Sequence, residues 1–337
     1  MLSSDTSGIY RSWNMSIPQI TKPSKLYNLE PIGIGTPYVE SLTSYICRLA
    51  EAHSVRTGTL VLEEIIPHIP KHYSVRNGKV LYNNSGAINS CGEEASSKGT
   101  IIKILQDLCQ RKDLSLLTMS NWKNFISLNS LHYTNRRWCP FCFEEWQTKQ
   151  TTLYEPLLWK IKCLDLCPIH ISLLVEKCGN KYCNKTNKHL GGNISIGFSE
   201  HCNGWLGIDT DNKENLKFNI KDQTNQGEFI CSNLVQLIPI PQKQSGVKIK
   251  HILRRNILFL KEKINNQNLG DEIKKVRILL NNFLTSRSNL SLDSLLFICS
   301  TFGITISQLL DQEVQKVSLS NYCVTNEKKR INKKETY

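Results

Sequence analysis

Two short motifs constrain this chain more than anything else in it. In RWCPFCFEEW (137–146), Cys139 and Cys142 have two residues between them, and in CPIH (167–170) so do Cys167 and His170. A tight backbone knuckle at that spacing aims both donors of a pair at one ion. Zn²⁺ takes four ligands in a tetrahedron, with Zn–S about 2.3 Å and Zn–N about 2.0–2.1 Å. Two such pairs fill the shell, and a filled shell marks a structural rather than a catalytic site. Cys139, Cys142, Cys167 and His170 are therefore expected to hold one Zn²⁺, with 24 residues between the pairs for an excursion out and back. The competing reading, buried thiols acting as small apolar side chains, leaves the paired spacing beside Pro140 and Pro168 unexplained.

A second cluster follows. Cys178 and Cys183 have four residues between them and Cys202 comes later, but Ser199 stands where a CxxC partner of Cys202 would be. A second Zn²⁺ is expected on Cys178, Cys183 and Cys202, with His201 completing the shell and His189 as the other available donor. A degenerate finger held by packing is the competing reading. Cys163, among Ile161, Leu164 and Leu166, reads as part of a buried strand.

Around this module the chain reads as mainly α. Residues 1–29 are expected to form an extended arm, broken by Pro18 and Pro23, with Tyr10, Trp13 and Tyr27 as docking aromatics. Residues 30–135 should form a small helical domain. Its first helix is expected over 37–54, capped by Thr36, with Val39, Leu42, Tyr45, Ile46 and Leu49 as the core stripe and Glu40, Ser44, Arg48 and Glu51 solvated. Arg48 is expected to pair with Glu51 or Glu40. A second helix is expected over 59–66, a polar loop or hairpin over 77–97, a third helix over 101–109, and core positions at Trp122, Phe125 and Ile126.

Residues 136–207 are the tandem zinc-finger module, and 208–247 a polar linker with one short element near 229–238. Residues 248–323 should be a C-terminal helical domain, with Ile252, Ile257, Leu258 and Leu260 in one apolar run, and 324–337 a basic tail. Within it, Leu292, Leu295, Leu296 and Cys299, then Gly303, then Thr305 capping Ile306, Leu309 and Leu310, read as helix, turn, helix. That pattern resembles a repressor-type helix-turn-helix. Its second helix would offer Ser307 and Gln308 to a groove, without an Arg or Lys for direct base reading.

Lysine plus arginine number 42 against 29 acids, a net charge of +13. A soluble chain this basic commonly meets a polyanion such as DNA or RNA, and the tail (Lys328, Lys329, Arg330, Lys333, Lys334) would favour phosphates. In the zinc module, basic residues (Arg136, Arg137, Lys160, Lys162, Lys177) interleave with aromatics (Trp138, Phe141, Phe143, Trp146, Tyr154, Trp159, Trp205). Stacking on nucleic acid is one use of such rings. The core of a small metal module is the other, and it is favoured because so small a unit needs large rings to build a core.

The chain has thirteen cysteines, and the CxxC pair Cys139/Cys142 and the CxxH pair Cys167/His170 suit a reducing compartment, so a cytoplasmic location is expected. No signal peptide and no apolar run of membrane-spanning length is evident. No phosphate-cradling GxxxxGK and no HExxH occurs, and the zinc shell reads as filled, so the chain is expected not to be an enzyme. A zinc-dependent nuclease or deaminase is the outlying alternative.

The order RWCPFCFEEW, YEPLLW, CPIH, a cysteine pair and then a Cys three residues before WLG resembles the TniQ/TnsD family of transposon target-selection proteins. TPYVESLTSYICRLAEAH (36–53) is similar to that family's N-terminal signature, and the resemblance spans roughly 29–207. Two departures fall in the second cluster: the stretched pair CGNKYC, and Ser199 for a cysteine. The resemblance implies a helix-turn-helix-like N-terminal domain and a non-enzymatic adaptor. Such an adaptor links a target recogniser, here a CRISPR effector complex with guide RNA, to the AAA+ ATPase regulator that recruits transposase. DNA and a second copy of the chain are further expected partners. The alternative is a TnsD-like protein that reads an attachment site in DNA itself.

Overall fold

A computed structural model describes residues 23–70, 78–83, 85–90, 99–208, 224–265, 271–286 and 288–311. These residues are mainly helical. The arm is described only from residue 23, and Tyr10, Trp13 and the basic tail lie outside the described residues.

The first helix, α1 (Leu42–Ala52), starts later than expected, and its cap is Ser41, whose side chain accepts a hydrogen bond from the Ser44 amide. The preceding residues are held extended by another segment. Glu40 bridges antiparallel to Pro156, the Ser41 amide donates to Glu155 O, and the Leu157 amide donates to Val39 O. The stripe Leu42, Tyr45, Ile46 and Leu49 is buried as its periodicity requires. Glu40 and Ser44, expected in solvent, are buried too. The Ser44 hydroxyl donates to Glu40 Oε1 at 2.8 Å and accepts from the Glu155 amide at 2.9 Å, and Arg48 pairs with Glu40 Oε2 at 2.6 Å. Glu40 lies just before α1 and Ser44 on it; the segment that covers both, around residue 155, lies far along the chain.

A four-residue helix α2 (Thr57–Leu60) runs on into a π turn over Val61–Ile65 and a 3₁₀ turn, Ile66–His68, with Pro67 near its start. The polar stretch expected as a loop holds α3 (Gly78–Asn83) and a 3₁₀ segment, Ser85–Ser90. Several of its polar side chains are buried. Asn89 is buried and bonds Thr43 of α1, Ser85 Oγ accepts from the Leu190 amide, and Ser90 Oγ lies 2.9 Å from His132 Nδ1. α4 (Gly99–Cys109) follows, then 3₁₀ turns that bury Trp122, Phe125 and Ile126.

Residues 136–207 contain one α-helix, α5 (Pro140–Thr148), and otherwise irregular chain pinned by isolated antiparallel bridges such as Trp138–Val175, Leu166–Leu173, Lys177–Thr186 and Phe198–Trp205. This region packs on the α1–α2 corner through Thr57 Oγ1 to Ile194 O (2.7 Å) and the Ile196 amide to Glu51 Oε1 (3.2 Å).

The stretch expected as a linker holds α6 (Thr224–Leu237) and the short α7 (Ile240–Lys243). The polar start of α6 hides an apolar stripe in which Cys231, Leu234, Leu237 and Ile238 are buried. α8 (Gly246–Asn265) and α9 (Asp271–Thr285) form an antiparallel pair, tied by Arg254 to Leu284 O and Arg277 to Ile264 O. Ile252, Ile257 and Leu260 are buried there, but Leu258 is 48% exposed on the opposite face of α8. α10 (Leu292–Phe302) ends at Gly303 in the left-handed conformation (φ 63°), and α11 (Ile306–Leu309) opens with a capping box between Thr305 and Gln308.

Two buried asparagines grip α11. Asn233 of α6 accepts from the Ile306 amide at 2.6 Å, and Asn256 of α8 donates to Leu309 O and Asp311 O, each at 2.7 Å. Gln308, expected to face a groove, is engaged in the cap.

Candidate metal centres

Local chain geometry builds the first cluster. Cys139 is the N-cap of α5 with extended backbone, Pro140 takes the first helical position, and Cys142 therefore lies on the first turn beside Cys139. Cys167 and His170 sit on a hairpin turn closed by the Leu166–Leu173 bridge, the Cys167 amide donating to Ser172 O and the Ile171 amide to Cys167 O, each at 2.8 Å. The turn is tight enough to force Ile171 to φ 48°, a strained conformation for a β-branched residue.

The four ligand atoms lie within 4.8 Å of one another. His170 Nδ1 is 3.6 Å from Cys139 Sγ, 3.3 Å from Cys142 Sγ and 3.8 Å from Cys167 Sγ, and Cys142 Sγ is 3.6 Å from Cys167 Sγ. A tetrahedral Zn²⁺ with the usual bond lengths separates its ligands by about 3.8 Å for S–S and about 3.6 Å for S–N. The donor set fits that ion in both chemistry and spacing. His170 turns its other nitrogen, Nε2, toward Glu145 Oε2 at 3.4 Å, and Ser172 Oγ lies 3.5 Å from Cys139 Sγ. A carboxylate behind a ligating imidazole fixes its tautomer and raises its basicity.

Contacts from Cys142 and Cys167 hold the Cys139 thiol far below its ordinary range, while contact with Cys139 pushes both Cys142 and Cys167 up. A divalent cation would favour the thiolate form of all three.

Aromatic rings close the cluster off. Phe143 of α5 packs edge-on against Trp159 (5.6 Å) and tilted against Trp205 (6.0 Å), while Trp146 stacks on Tyr154 (4.7 Å). Trp205 Nε1 donates to Glu144 and Trp138 Nε1 to Leu206 O. Of the basic residues read among these rings, Arg136, Arg137 and Lys160 are buried; Arg136 and Lys160 pair with buried Glu155, and Arg137 with Asp165. Those rings and three cations are thus core, and Lys162 and Lys177 are exposed.

The second cluster joins Cys178, Cys183 and Cys202, whose sulfurs also lie within 4.8 Å of one another. Cys178 and Cys202 Sγ are 3.6 Å apart. The backbone turns here pass through Asn184 (φ 42°) and Asn203 (φ 54°), a residue type that tolerates the left-handed region. Burial pushes the Cys178 thiol up. Burial also opposes ionisation of Cys202, but the Gly204 amide, Ser199 and the neighbouring thiols bring it down to about 7.

The structure does not bring His201 into this group. Its Nε2 donates to Thr186 O at 3.0 Å and lies 3.3 Å from Glu200, because adjacent residues on this turn point different ways. His189 is buried elsewhere, donating from Nε2 to Tyr133 O. Ser199 instead faces the sulfurs, its hydroxyl 3.9 Å from Cys183 Sγ. Cys163 stays apart from both clusters. Ser199, His201 and Cys202 line an open cleft of about 640 Å³ together with Glu51, Arg56 and Thr57.

Fold and clusters together define a mainly helical protein built around a module that two metal ions could staple. Residues 31–174 match the family model described as TniQ. The matched segment contains all four members of the first cluster and stops before Cys178. No curated protein matches the chain.

Proposed function

We propose that this protein is a non-catalytic target-selection adaptor of transposition. It joins a target-recognition complex, an RNA-guided CRISPR effector, to the AAA+ ATPase regulator that recruits transposase. The observation that carries this reading is the TniQ match, which covers α1 through the first metal cluster.

Zn²⁺ is the metal on this reading, held in one closed site by Cys139, Cys142, Cys167 and His170 and in a second by Cys178, Cys183 and Cys202. When bound, it supplies cross-links in place of a large core, so that binding energy becomes folding energy. The chain's own residues do the rest. α5 and the 166–173 hairpin carry the ligands, and Glu145 orients His170. The Arg136–Glu155–Lys160 network ties the module to α1 through Ser44.

Domains follow the proposed division into an arm, an N-terminal helical unit, the metal module and C-terminal helices. DNA, a second copy of the chain and a cytoplasmic setting complete the picture. No helix among the described residues is long and apolar enough to cross a membrane.

The alternative is a TnsD-like reader of duplex DNA. Against it, α11 is held at both ends by buried asparagines and its Gln308 is taken up in a cap. DNA titration at several salt concentrations separates the two. An adaptor binds DNA weakly, without sequence preference, and loses it steeply as salt rises. Tight binding to one duplex sequence over unrelated ones contradicts the adaptor reading.

A further inference from the structure

The second cluster is short of a ligand, and its surroundings say which kind. Three sulfurs converge, and among the described residues no fourth His, Cys, Asp or Glu donor falls within the same 4.8 Å group. His201, the nearest candidate in sequence, directs its ring to Thr186 O. Ser199 occupies the remaining side, but a neutral hydroxyl is not among the usual Zn²⁺ ligands, which are thiolate, imidazole and carboxylate. Ser199 and exposed Cys202 both line the cleft beside the α1–α2 corner, so this flank of the cluster opens to solvent. The first cluster differs in all these respects: its four donors are complete and its three sulfurs buried.

We propose that the second cluster binds its metal through the three thiolates alone and leaves the fourth position to an exchangeable monodentate donor entering along the cleft. That donor is water at rest, replaced by a soft nitrogen or sulfur ligand. The inference rests on reading this cluster as a metal site. It makes the two ions unequal, one locked and one labile.

The test uses the full-length zinc-loaded protein, with metal content measured and release to a colorimetric chelator followed in time. A missing outer-shell partner already weakens metal binding about 10- to 100-fold, and a missing inner ligand should do no less. Two equivalents are expected, one leaving at least about tenfold faster than the other. Ser199→Cys should slow the fast equivalent to the rate of the slow one, and His201→Ala should change neither. In the Co²⁺-loaded protein, imidazole should shift the visible bands of one site saturably, and Ser199→Cys should abolish that shift.

Loss of the second equivalent in His201→Ala would make His201 a ligand and overturn the inference while leaving the metal reading intact. Two equivalents released at a single rate would overturn it as well. A single equivalent in the wild-type protein, whatever Ser199→Cys holds, would remove the metal reading and the inference together.

Discussion

Glu145 stands directly behind His170, its Oε2 3.4 Å from Nε2, while Nδ1 on the opposite edge of the ring lies 3.3 Å from Cys142 Sγ. Glu145 also pairs with Lys149 one turn along α5, so the helix that presents Cys142 presents the histidine's orienting group too. Glu145→Gln should keep the fold and weaken metal retention at the first cluster by about 10- to 100-fold, read by chelator competition. Unchanged retention would show that the imidazole is held by its Phe141 stacking alone.

Cys139→Ser and Cys167→Ser should remove most of the module's stability, because structural Zn²⁺ contributes on the order of 10 kcal/mol to small metal units. Cys183→Ser should matter less, since among the described residues no fourth donor joins its cluster. Thermal melts of the three variants, with and without added zinc, check the ranking. Equal losses would contradict it.

Glu155 is buried between Arg136 and Lys160, and although burial opposes its ionisation, those two cations hold its carboxyl at about 2. Removing it leaves two buried cations uncompensated, a loss of about 3–5 kcal/mol in Glu155→Gln by urea unfolding. The pH dependence has a definite sign. A carboxyl depressed in the folded chain contributes stability that is complete above its unfolded value of about 4.3. That contribution is lost as pH falls toward about 2. The wild-type and variant stabilities should therefore converge across that window.

His189 is buried with Nδ1 unpartnered, and burial, aided by Lys160, holds its imidazole well below its ordinary range. The unfolded chain takes up this proton first, so stability is lost as pH falls through the ordinary histidine value of about 6.5. Replacing His189 by Gln should flatten the wild-type slope just below that pH in paired denaturation series. An unchanged slope would place the proton uptake elsewhere.

Asn256 caps the end of α11 through two carbonyls. Asn256→Leu should destabilise the chain by about 1–3 kcal/mol, the cost of leaving a buried acceptor unsatisfied. Urea midpoints measure it. A neutral result would mean that water replaces the amide.

The first cluster was legible because a donor pair with two residues between its members is a local geometric statement, and α5 and the hairpin obey it independently. In the second cluster the convergence of three sulfurs was legible. His201 was misplaced because adjacency in sequence does not set direction on a turn whose neighbour, Asn203, has φ 54°. Periodicity found the stripe of α1 but put Glu40 and Ser44 in solvent, since their burial depends on the distant Glu155 backbone. Polar composition hid the 3₁₀ segment Ser85–Ser90 and α6, because Asn89 and Asn233 are polar in order to bond buried partners rather than water. The exposure of Leu258, within an otherwise buried run, has the same origin: it lies on the face of α8 opposite its packed one.

The adaptor reading is tested most directly by purifying the tagged full-length protein from cells that also express the proteins encoded beside it, then washing at moderate salt. The account predicts co-recovery of an AAA+ ATPase together with a guide-RNA effector complex. Recovery of the ATPase with one defined duplex DNA and no RNA would contradict it in favour of the DNA reader, and recovery of neither would contradict both.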